Sequence, residues 1–78
     1  MKVKDIKGAY DYMDVYFEDG RVVRIDGEMI YHGFAAEENS ITEWKVPKGE
    51  PISEEEKREI KEAVLEEANG LKIKIVFE

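Results

Sequence analysis

The sequence predicts an α+β fold: a small antiparallel sheet of four to five strands with one helix packed across one face, and the last strand following the helix. Three stretches carry that expectation. Ser53 with Glu56 three places on is a capping box, and it opens an amphipathic run that Asn69-Gly70 closes. Leu71, Ile73, Ile75 and Phe77 then alternate with Lys72, Lys74 and Val76, the period of a strand with one buried face. Upstream, Met13, Val15 and Phe17 alternate with Tyr12, Asp14, Tyr16 and Glu18 and run into Asp19-Gly20, a hairpin signal.

Taken in order, residues 3–10 predict a short edge strand in which Lys2, Lys4 and Lys7 discourage pairing with other molecules. Loop length decides the hairpin that follows. A two-residue Asp19-Gly20 loop would oppose Val15 to Arg24 and put an arginine on the apolar face. A three-residue loop from Glu18 to Gly20, with Gly20 left-handed, instead opposes Val15 to Val23 and Met13 to Ile25 and sets Asp14 beside Arg24 on the other face. The second register is expected, with Met13, Val15, Phe17, Val23 and Ile25 facing the helix.

Asp26-Gly27 reads as a second turn, Glu28 to Phe34 as a third strand with Gly33 at a bulge, and residues 35–40 as a loop. Ile41 to Val46 reads as a fourth strand, and Pro47 to Pro51 as a rigid connection leading to the helix. Trp44 is expected to be a packing anchor for that connection. On the helix, Ile60, Ala63, Val64 and Ala68 share the core sector, with Leu65 at its edge, while Glu55, Glu59, Glu62 and Glu66 line the opposite side. The sheet face away from the helix is expected to be largely open.

With 78 residues, division would leave neither half enough apolar surface to bury, so residues 1–78 are expected to be a single domain. Charged residues make up 40% and hydrophobic ones 42%, which suits a folded, water-soluble chain. A net charge of −7, shared between the first 52 residues (7 basic, 11 acidic) and the rest (5 basic, 8 acidic), opposes DNA and RNA as partners. It would steer a basic partner, and it is also what solubility alone asks for. No cysteine is present, and no apolar stretch approaches membrane-spanning length, so no membrane partner and a cytoplasmic location are expected.

His32 is the sole histidine, and no serine is placed by a motif as a nucleophile, so a catalytic triad is not signalled. Asp26-Gly27-Glu28 with Glu37 has the outer spacing of a calcium loop, but Ile30 and Tyr31 stand where it needs an oxygen ligand and a glycine. Zinc lacks ligands, no glycine pattern cradles a phosphate, and no spacing selects a pair of carboxylates, so neither enzyme chemistry nor a cofactor is expected. Two surfaces remain. One is the acidic helix ridge. The other is the outer hairpin face of Tyr12, Asp14, Tyr16 and Glu18, joined by Tyr31, where tyrosines offer contact area, a hydroxyl and small entropy loss. These five residues are the expected partner contacts.

Gly27-Glu28-Met29-Ile30, then Gly33-Phe34, Asn39-Ser40-Ile41, Trp44 with Pro47, and Ile52-Ser53-Glu54-Glu55-Glu56-Lys57 resemble, in order, the immunity protein 74 family of bacterial polymorphic toxin systems. The likeness runs from the hairpin to the last strand. Two positions depart from it: a small residue often stands in the place of His32, and a second proline in that of Val46. The resemblance implies a small bacterial protein that binds and neutralises a toxin domain encoded beside it, a basic one if the acidic surface serves the contact, with no catalytic residues. The alternative is a structural or regulatory interaction domain without a toxin partner. Monomer and homodimer both stay open, the dimer forming through the open sheet face or an edge strand.

Overall fold

The computed structural model describes residues 1–78, with strands β1 (Val3–Gly8), β2 (Tyr12–Phe17), β3 (Val22–Ile30), β4 (Gly33–Ala36) and β5 (Lys74–Phe77). A 3-10 turn (Glu38–Ser40) and one helix, α1 (Glu54–Leu71), separate β4 from β5. The strands form one sheet in the order β1-β2-β3-β4-β5. The first three pairings are antiparallel and β4–β5 is parallel, so the sheet is mixed. A parallel neighbour requires a crossover, and α1 supplies it.

The hairpin has the three-residue register. Val15 pairs with Val23, Met13 with Ile25 and Asp14 with Arg24, and Gly20 takes φ 94°. Met13, Val15, Phe17, Val23 and Ile25 are buried with Ile60, Ala63, Val64 and Ala68 of α1 in one core. At the helix start, Ser53 Oγ accepts from the Glu56 N–H (3.1 Å) while Glu56 Oε1 accepts from the Ser53 N–H (3.1 Å). β1 is an edge strand, with a bulge between Val3 and Asp5 that roughens it against further pairing.

Several expectations are corrected. Asp26-Gly27 is not a turn; β3 runs through it. Gly27 pairs with Ala36, and a Cβ there would lie 2.1 Å from the Ala35 carbonyl oxygen, so glycine serves close backbone approach. The reversal falls at Tyr31-His32, where His32 takes φ 64°. Gly33 marks no bulge: it opens β4, and a Cβ would sit 1.7 Å from the Lys74 carbonyl oxygen. Residues 41–46 form no strand. Their strand-type pairing is limited to isolated bridges at Val22–Val46 and Glu43–Pro51, and the segment folds on itself, the Trp44 N–H donating to Glu50 O (2.8 Å) and the Ile52 N–H to Thr42 O (2.9 Å). Burial of Ile41 and Trp44 in the core pulls the chain out of an extended path. Trp44 packs edge-on to Phe17, ring centroids 5.7 Å apart, as an anchor should.

Finally, α1 passes Gly70 and ends at Leu71. Lys72, at φ 60°, is the left-handed residue, its N–H directed to the carbonyls of Ala68 and Asn69. The ladder explains the extra residues: Ile75 must arrive opposite Phe34, and the Lys74 N–H must reach His32 O (3.0 Å). The strand expected from Leu71 therefore begins at Lys74, and Leu71 and Ile73 remain exposed.

Candidate partner-binding surfaces

Strand alternation sends Tyr12, Asp14 and Tyr16 to the face away from the helix, and the register brings Arg24 and Lys7 alongside Asp14. That face is not simply open. Arg24 grips Asp14 with two bonds, Nε to Oδ1 at 2.8 Å and Nη2 to Oδ2 at 2.9 Å, and Lys45 reaches in from the 41–52 segment to Oδ2 at 2.9 Å. Asp14 is buried, and hydrogen bonding from Arg24, reinforced by Lys45, holds its carboxyl below the usual carboxylate range against the opposing effect of burial. The cations also cover the tyrosines: the Arg24 guanidinium lies 3.8 Å from the Tyr12 ring centroid and Lys7 Nζ 5.3 Å from that of Tyr16.

Of the five expected contacts, Tyr12, Asp14 and Tyr16 share this face and Glu18 follows at its hairpin end, while Tyr31 sits beyond Ile30 at the other end of the sheet. Tyr12 and Tyr16 are half-buried, Glu18 and Tyr31 exposed. Arg24 was legible as the neighbour of Asp14. Lys45 was not, because its segment reads as a strand.

The helix ridge behaves as its spacing indicates. Glu55, Glu59, Glu62 and Glu66 are exposed and unpaired. Lys57 (4.0 Å) and Lys61 are turned toward Glu38, whose carboxyl is held below the usual carboxylate range by the hydrogen bond from Lys61 first and then by the charge of both lysines, and so do not neutralise the ridge. Over Glu54–Leu71 seven acidic residues face three basic ones, which is four of the seven excess negative charges of the chain.

A third feature has no signal in the sequence. At the end of the sheet where α1 stops, a cleft of about 300 Å³ opens between β1 and the Lys72–Ile75 stretch. Ile6, Met13, Met29, Phe34, Ile73 and Ile75 give it an apolar lining, with His32 and Lys72 as its polar side chains. Its residues are scattered from position 6 to 75, so no local pattern signals it.

Fold and surface together define a small one-helix α+β protein with three distinctive surfaces: a sheet face of tyrosines covered by cations, an acidic helix and an apolar cleft. The family model described as immunity protein 74 matches residues 5–78, and the chain belongs to that family. No curated protein and no solved structure matches it. No helix is long and apolar enough to cross a membrane.

Proposed function

We propose that this protein is the immunity partner of a toxin: it binds a toxin domain encoded next to it and blocks that domain by direct contact. Membership of the immunity protein 74 family over residues 5–78 carries the reading. Binding, not catalysis, is the activity. The surplus of unpaired carboxylates on α1 supports a toxin with a positively charged surface, because such a partner is drawn in from a distance.

Two faces are candidates for the contact, the outer sheet face with Tyr12, Tyr16 and Glu18 and the sheet end with Tyr31. Asp14 takes a supporting part, since both its oxygens are already engaged and it holds Arg24 over Tyr12. The test is co-expression. Each neighbouring gene is induced in cells with and without this protein, and the expected result is one toxic product whose lethality the protein relieves and with which it co-purifies. A neighbourhood without a toxic product, or a toxic product unrelieved, overturns the reading.

A further inference from the structure

Nine large hydrophobic residues are exposed, and five of them gather at one end: Tyr10, Met29, Tyr31, Leu71 and Ile73. They are joined around the cleft. Met29 and Ile73 line it, the Met29 N–H donates to Tyr10 O (2.9 Å), and Tyr31 and Leu71 adjoin its polar residues His32 and Lys72. Tyr10 and Tyr31 are 84% and 86% exposed, and the Tyr31 ring lies 4.0 Å from that of His32. Tyrosine at this exposure beside a desolvatable apolar floor is the composition of an interface centre.

The backbone adds a second observation. His32 and Lys72 are the two non-glycine residues with positive φ, and both line this cleft. Each occupies a conformation in which glycine would be less strained, and strain of this kind gathers at functional sites. Here the two side chains held in it are an imidazole and an ammonium.

The charge of the lining points to the occupant. In a chain of net charge −7, the cleft has one formal charge, the cation of Lys72, and no carboxylate. We propose that the cleft receives the toxin: an apolar side chain from an exposed toxin loop enters between Met29 and Ile73, and an aspartate or glutamate beside it pairs with Lys72. This rests on the toxin-binding reading above. A second copy of the chain fits less well, because a two-fold contact here would set Lys72 near Lys72 with no acid of the cleft between them. A small ligand filling the cleft would leave Tyr10, Tyr31 and Leu71 exposed.

The experiment measures binding of the toxin recovered by co-expression to the parent and to Met29→Asp, Lys72→Gly and Tyr16→Ala. Met29→Asp is expected to weaken binding roughly 30-fold or more. Lys72→Gly is expected to weaken it about tenfold while raising the thermal midpoint, because glycine relaxes the left-handed position and so separates lost contact from lost fold. Tyr16→Ala, on the competing sheet face, is expected to weaken binding less than either cleft variant. If Met29→Asp and Lys72→Gly both bind within about twofold of the parent, the cleft is not the contact although the toxin reading stands. Weakening by Tyr16→Ala alone assigns the contact to the outer sheet face and overturns the inference. A parent dimer that Met29→Asp dissociates without affecting toxin binding makes the cleft a self-contact, also against it. If the parent neither binds nor protects, both readings fall together.

Discussion

Asp14 is a buried carboxylate that accepts three hydrogen bonds from Arg24 and Lys45, and its worth is tied to its charge. Its native pKa lies below the unfolded value of about 3.9, so its contribution is complete above that value and is lost as pH falls through the lower native one. Asp14→Asn should cost about 2 kcal/mol at neutral pH, the scale of hydrogen bonds to charged groups. Urea midpoints measured from pH 6 down to 2 should converge for parent and variant; a constant difference would show that the charge is not what matters. At Trp44 the question is shape against polarity. Its Nε1 is buried with no partner, so Trp44→Ala should cost about 3 to 5 kcal/mol, while Trp44→Phe should lose less than half of that. Phenylalanine keeps apolar volume against Phe17 and removes the orphaned donor. Equal losses in chemical denaturation would mean that the site requires the indole itself and not apolar volume alone.

Among the elements, the parallel β4–β5 pair is the most constrained, since four-residue strands meet where α1 returns the chain. Gly33 lets them close. A methyl group there would overlap the Lys74 carbonyl, so Gly33→Ala should destabilise by about 3 kcal/mol or more, with early loss of amide protection in β5. A variant as stable as the parent would mean the pair is looser than its geometry implies. The hairpin is the contrasting case: its loop, register and buried face agree with one another, and nothing distant is needed to choose among alternatives.

For the whole molecule, charge and apolar surface are separated. The helix carries most of the excess negative charge, while exposed apolar side chains concentrate at the sheet end where α1 stops. Ridge carboxylates in water act over distance and are screened by salt, whereas desolvated apolar contacts govern dissociation. Glu59→Lys should therefore slow association with a basic toxin at low ionic strength and lose its effect at high salt, with the dissociation rate unchanged. Binding kinetics at two salt concentrations check this; a faster dissociation at both would place the contact on the helix.

The sequence alone determined the α+β class, the capping box at Ser53, the buried helix sector and the hairpin register, because each is carried by residues a few positions apart whose periodicity and turn chemistry agree. The meaning of Gly27 and Gly33 was decided only in three dimensions: a glycine needed for a turn and one needed for close backbone approach look identical in a sequence. The same holds for the helix end, moved past Gly70 by the β5 ladder, and for residues 41–46, drawn from an extended path by the burial of Trp44. The cleft is the extreme case. Ile6, Met29, His32 and Lys72 become neighbours only because β1 and the end of α1 reach the same end of the sheet, and no local interaction records that distance.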